Sequence, residues 1–192
     1  VAVRNGTLTP SQAARRERML AAALELALEG GWDAVQMREV AARADVALGT
    51  LYRYFQSKEY LLVSVMLDLV EDMAELLSVD PAEGDDPVER VADVLARCNQ
   101  VLENEPALTT AVIRALVSGN TEIAPVVLQV REEMRRMIGD AMGDPPRGED
   151  DVLAMDLLSD VWLAVLVSWI SGTEPQSAVV PRLRSATRVL LG

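Results

Sequence analysis

The chain has 192 residues, half of them apolar, enough for one sizeable domain or a small one joined to a larger one. It has no histidine and a single cysteine, Cys98, which removes a disulfide framework, the common zinc sites and every His-dependent catalytic triad. The net charge of -12 is uneven: residues 1–60 carry net +1 and residues 61–192 net -13, so the first part can face phosphates while the acid stays in the second.

Residues 1–8 show no periodicity and read as an arm. Thr9-Pro10-Ser11-Gln12 signals a helix start, with Thr9 capping, Pro10 in the first turn and Gln12 reaching back. The helix carries Leu20, Ala23, Leu24 and Ala27 inward and ends at Gly30-Gly31. Arg15, Arg16 and Arg18 cluster near its start, as a phosphate contact or a solvated face. Trp32 to Val35 is a short connection.

Two short helices then cross at a tight turn, the pattern of a helix-turn-helix over about residues 36–55. Met37, Val40, Ala41 and Ala44 form the buried stripe of the first, with Arg38, Glu39 and Arg43 on its wet face. Asp45 stands at the turn, because Asp tolerates a left-handed backbone. In the second helix Val46, Leu51 and Phe55 point inward, leaving Gly49, Thr50, Tyr52, Arg53 and Tyr54 outside and Lys58 just beyond. The hydroxyl of Thr50, the phenols of Tyr52 and Tyr54 and the ammonium of Lys58 are donors suited to phosphate oxygens, and Gly49 lets backbone come close.

The run LGTLYRYFQSKEYLL, within Leu20 to Leu62, resembles the TetR family of bacterial transcriptional regulators. The resemblance implies DNA contacts from Arg38, Ala47, Leu48, Gly49, Thr50, Tyr52, Arg53, Tyr54 and Lys58. Asp45 replaces the family's usual Gly, Ala47 a capping Ser or Thr, and Leu48 a frequent Lys, which bears on first-turn phosphate contacts rather than on the fold.

Ser57 opens a long helix with Leu61, Leu62, Val65, Leu69, Met73 and Leu76 in one stripe to about Val79, followed by an acidic Pro- and Gly-rich loop over 81–87. Val88 to Leu102 reads as a helix with Val91, Val94, Leu95, Cys98 and Leu102 inward, Cys98 as an inert core thiol. Leu108 to Val117 is another, in which Arg114 either snorkels to water or meets an anion. Thr121 to about Met142 carries Val127, Val130, Met134, Met137 and Ile138 inward, with Glu132 and Arg136 expected to pair outside. After a loop at 143–148, the carboxylates Glu149, Asp150 and Asp151 mark a helix start. From Val152 to Ile170 apolar residues occupy nearly every side, which calls for burial against a second subunit as well as the chain's own core. A last amphipathic helix carries Val179, Leu183, Ala186 and Leu190, with Arg182, Arg184 and Arg188 on its wet side.

With no alternating strand pattern and no internal repeat, the expected fold is all-α with about nine helices: a DNA-binding unit over 9–58 and an effector-binding and dimerisation domain over 59–192. The most apolar stretch, Val161 to Ile170, is too short to cross a membrane, and nothing at the start resembles a secretory signal, so the expected location is cytoplasmic. The expected function is a ligand-responsive repressor, not an enzyme, without metal or cofactor, binding a near-palindromic double-stranded operator as a homodimer. The expected dimer contacts are Trp169, Val179, Leu183, Ala186 and Leu190. Leu95, Leu102, Val130, Met134, Met137, Leu158 and Trp162 would line an effector site for a large apolar guest. The stretches AVQMREVAARADVALGTLYRYF, SDVWLAVLVSWISG and PRLRSATRVLLG resemble the actinobacterial repressors of sterol and ketosteroid catabolism. That resemblance implies a steroid-derived acid or its coenzyme A thioester, whose phosphates Arg114 or Arg97 would meet. Another hydrophobic ligand, in control of drug efflux or fatty-acid genes, is the alternative; an all-α enzyme acting on a lipid-like substrate is the remote one.

Overall fold

In the computed structural model, residues 9–143 and 148–192 are described; the arm and most of the loop at 143–148 lie outside them. The described residues form nine α-helices and no strand: α1 Pro10–Ala34, α2 Met37–Arg43, α3 Leu48–Tyr54, α4 Lys58–Val79, α5 Pro87–Asn104, α6 Pro106–Leu116, α7 Ala124–Met142, α8 Glu149–Ile170 and α9 Val179–Leu191. Short 3-10 turns, Thr121–Ile123 and Gln176–Ala178, lead into α7 and α9.

Local chemistry sets the helix ends. Thr9 and Gln12 close a reciprocal capping box on α1, the Thr9 backbone N–H donating to Gln12 Oε1 at 2.9 Å. Gly30 and Gly31 leave helical geometry, Gly31 at φ 61° and ψ -148°, so α1 breaks where its sequence stops favouring it and resumes for one further turn. Ser57 Oγ accepts from the Tyr60 N–H at the start of α4, and Asp86 caps α5 through the Glu89 N–H at 2.8 Å. Pro125 sits in the first turn of α7, where its missing N–H is harmless.

The chain divides into two compact units, 1–67 with 107–127, and 68–106 with 128–192. The first therefore takes in the first half of α4 and nearly all of α6, beyond the boundary expected from sequence at residue 58. Its core includes Met19, Leu20, Val40, Leu51, Phe55, Leu61 and Leu62, each at most 3% exposed. In the second unit α9 packs against both α5 and α8. There Arg90 of α5 donates to the Ala141 and Met142 carbonyls, satisfying the end of α7.

Three expectations shift. Leu76 is 48% exposed rather than inward, because the end of α4 runs past the core. Glu132 pairs with Arg135, three residues on, while Arg136 takes Glu133, since Arg135 is already drawn to Asp156. By length and composition α8, at 22 residues, is long and apolar enough to cross a membrane, which the reading of Val161 to Ile170 alone did not allow. Its Asp156 and Asp160 bind Arg135 and Arg131 of α7, and Met155, Leu158 and Trp162 are buried in the unit, so α8 serves as a core helix.

Candidate functional site

The helix-turn-helix is built by α2 and α3. Val40, Ala41 and Ala44 are buried, and Asp45 adopts φ 53° as the sequence required. The Val46 N–H returns to the Ala41 carbonyl at 2.9 Å, which closes the turn. Helix α3 starts without a side-chain cap: Ala47 offers only its carbonyl, to the Thr50 and Leu51 N–H groups at 2.8 and 3.1 Å. Leu51 and Phe55 anchor the helix from inside, and Val46 is half-buried.

On the outer side Arg38, Ala47, Gly49, Tyr52 and Arg53 are exposed, and Leu48, Thr50 and Tyr54 are half-buried. The exposed donors are thus the phenol of Tyr52 and the guanidinium groups of Arg38 and Arg53, with Gly49 bare on the same helix as Tyr52 and Arg53. Of the neighbouring cations, Arg43 is committed to Glu29 at 2.7 Å, with Glu25 and Glu39 within 4.0 Å, so it adds little positive field. Arg16 lies over the Phe55 ring, 5.9 Å from its centroid.

Lys58 is not the free ammonium its place in the motif implied. Its Nζ donates to the Trp32 carbonyl and lies 4.1 Å from the centroid of the Trp32 ring. Burial pushes its pKa below the usual lysine value; Arg114 pushes the same way, while Asp33 and Glu59 oppose. Arg114 is exposed between the buried Ile113 and Ala115, as a snorkelling cation would be, and its guanidinium carbon lies 4.4 Å from the same ring centroid. Trp32, read from sequence as mere connection, thus gathers two cations; its one sequence signal is a bulky aromatic directly after a Gly-Gly break.

The seven apolar residues expected around an effector, Leu95, Leu102, Val130, Met134, Met137, Leu158 and Trp162, are all buried in the second unit, each at most 6% exposed. Arg114 belongs to the first. A cleft of about 420 Å³ in the second unit brings Met137 together with Ala74, Leu77, Val94 and Ala141, and has Glu75, Arg136 and Asp140 among its walls. The other six do not line it. Sequence periodicity missed Asn99, fully buried on α5: its Nδ2 donates to Glu103 at 2.5 Å but its Oδ1 has no protein partner, and neither has Trp162 Nε1. Arg97 is held by Asp80 and Asp93, both at 2.8 Å, which leaves it poorly placed to meet phosphates. Cys98, with its thiol pushed up to about 12 by burial, is inert at neutral pH.

Of the five expected dimer contacts, Val179 and Leu183 are 1% and 0% exposed within the chain itself, taken up by α9's packing on its own unit, and have no surface left for a partner. Trp169, Ala186 and Leu190 are half-buried. The apolar surface that α8 and α9 still present includes Leu153 at 55%, Leu157 at 39% and Val189 at 81%.

Residues 19–65 match the bacterial regulatory proteins of the tetR family, and residues 84–190 the tetracyclin repressor-like C-terminal domain. The HTH-type transcriptional repressor KstR of Rhodococcus jostii is 41% identical over 182 residues, 95% of this chain and 85% of that one. Among solved structures, a TetR transcriptional regulator from Rhodococcus sp. RHA1 superposes with a TM-score of 0.87 at 39% identity, covering 94% of this chain and 97% of that one. The regulator FadR from Bacillus subtilis, in complex with stearoyl-CoA, shares the fold with a TM-score of 0.63 at 22% identity, covering 92% and 97%. With the exposed donor face of α3 built on a helix-turn-helix and both parts of the chain matched, the chain belongs to the TetR family of bacterial regulatory proteins and is a DNA-binding transcriptional repressor, not an enzyme.

Proposed function

We propose that the chain represses transcription from the cytoplasm as a homodimer on a near-palindromic operator and is released by a large hydrophobic effector. Residues 9–58 form the DNA-binding part and 59–192 the part that binds effector and partner. A two-fold dimer sets two α3 helices in successive major grooves, with half-sites roughly 34 Å or a little more apart. The pairing surface is the outer apolar side of α8 and α9, Leu153, Leu157 and Val189 with Trp169, Ala186 and Leu190, rather than the buried Val179 and Leu183.

The observation that carries the effector reading is the second unit's interior. Val130, Met134, Met137, Leu158 and Trp162 are apolar or nearly so, and the adjoining cleft of about 420 Å³ falls within the range of small-molecule sites. Methionines adapt to irregular apolar guests. A steroid-derived acid, or its coenzyme A thioester, is the effector favoured by the resemblance of the α2–α3 and α8–α9 stretches to repressors of sterol catabolism. The likeness to the stearoyl-CoA complex is one of fold and does not choose between ring and chain. Sequencing genomic fragments retained by the protein gives the operator. Calorimetry and operator release with a steroid, its acid and its thioester then test the effector: no heat and no release with any of the three overturns the steroid reading.

A further inference from the structure

Lys58 opens α4, separated from α3 by Phe55, Gln56 and Ser57 only, and its position in the motif makes it a phosphate contact by resemblance. Its surroundings describe another use. The ammonium donates to the Trp32 carbonyl, lies 4.1 Å from the Trp32 ring centroid and is desolvated enough that its charge is disfavoured relative to water. Arg114 lies over the same ring at 4.4 Å and repels the ammonium, so what holds Lys58 there is the ring and the carbonyl, aided by Asp33. The carbonyl is available because of the break just before it. Gly31, at φ 61°, turns the chain out of α1, and its Cα comes so close to α6 that an added Cβ would stand 3.2 Å from the Ala107 carbonyl oxygen. The last turn of α1 and the first turn of α4 are thus tied by one side chain, within the same compact unit as α2 and α3.

We propose that Lys58 and Trp32 form a positioning pair for DNA binding: Lys58 acts through the Trp32 ring and carbonyl to set the start of α4, and so the end of α3, instead of neutralising a phosphate. The two uses separate on salt. A phosphate contact releases counterions, and each one removed lowers the slope of log affinity against log salt by about 0.9. A positioning contact lowers affinity and leaves that slope in place. Trp32, which carries no charge, must then share the phenotype of Lys58, and the two losses must not add, because either substitution breaks the same tie.

The experiment measures binding of a duplex carrying the captured operator across a series of salt concentrations, for the parent, Lys58→Met, Trp32→Leu and the double variant, with circular dichroism as a check on folding. The expected result is a loss of about five- to tenfold for each single variant, no further loss in the double variant, and a slope equal to the parent's in all. If Trp32→Leu fails to fold, Lys58→Met alone still decides through its slope, and Trp32→Phe, which keeps the ring but weakens its hold on a cation, should fall between parent and Lys58→Met. A slope lower by about one unit in Lys58→Met, or full parental affinity in the Trp32 variants beside a loss in Lys58→Met, overturns the proposal and returns Lys58 to the phosphate backbone. Because the parent is titrated in parallel, failure of DNA binding as such shows separately, as an absence of binding in every sample.

Discussion

Replacing Gly31 with alanine isolates the break that sets Trp32 in place. At φ 61° and ψ -148° the residue occupies a region close to glycine-only, where an alanine backbone costs about 1–3 kcal/mol. The new Cβ would meet the Ala107 carbonyl oxygen at 3.2 Å, so the start of α6 must also yield by a few tenths of an ångström. Against this, alanine loses less freedom on folding than glycine, a gain of about 0.4–1 kcal/mol. The balance is a loss of about 1–2 kcal/mol, and at about 2–4 °C per kcal/mol for a chain of this size the melting temperature should fall by about 2–8 °C. Gly119 supplies the control: its φ is 75°, but an added Cβ there meets nothing within 4 Å. Thermal melts of Gly31→Ala and Gly119→Ala by circular dichroism therefore separate backbone strain from the clash with α6. Gly31→Ala melting at or above the parent, or no lower than Gly119→Ala, would refute the claim that the chain at Gly31 is held against α6.

Other outcomes follow from the same geometry. Tyr52→Phe, removing one hydroxyl from a side chain 46% exposed, should weaken operator binding about three- to tenfold with an unchanged melt, since a hydrogen bond to a charged group contributes about 1 kcal/mol or more; parental affinity in a filter or gel assay takes Tyr52 off the DNA face. Leu183→Glu buries a carboxylate at a position 0% exposed and should yield unfolded chain rather than soluble monomer, whereas Leu153→Glu, at 55% exposure, should keep its helical content and sediment as monomer. A dimeric Leu153→Glu moves the interface elsewhere. Asn99→Leu gives up one hydrogen bond worth about 1 kcal/mol and a buried orphan acceptor that costs about 1–3 kcal/mol, so its melting temperature should stay level or rise. A fall of more than about 4 °C there would show that Oδ1 is satisfied in the folded chain.

The helix-turn-helix was legible because its constraints are local. A period of 3.6 residues fixes which of Val40, Ala41, Leu51 and Phe55 go inside, and a left-handed residue at the turn admits few types, of which Asp45 is one. The same period placed Leu95, Leu102, Met134 and Met137 in the core of the second unit. It could not say where an apolar stripe finds its cover. Val179 and Leu183 have the spacing of an interface and of an internal contact alike, and only the packing of α9 on α5 and α8 decides for the second.

Long cations were the least legible of all, because a flexible side chain is placed by partners far away in sequence. Lys58 is set by Trp32, 26 residues earlier, and Arg97 is shared between Asp93, one helical turn back, and Asp80, 17 residues earlier, which no helical spacing foretells. Arg43 is drained by Glu29, 14 residues earlier. The charge count of the first 60 residues, net +1, is therefore a poor measure of what the DNA face offers. Once Arg43 is paired and Lys58 is tied to Trp32, the exposed donors on α2 and α3 include Arg38, Tyr52 and Arg53, of which the two arginines still release counterions on binding phosphate. If Lys58 positions α3 as proposed, operator affinity depends on the tie between the turn after α3 and Trp32 as well as on the residues that touch DNA.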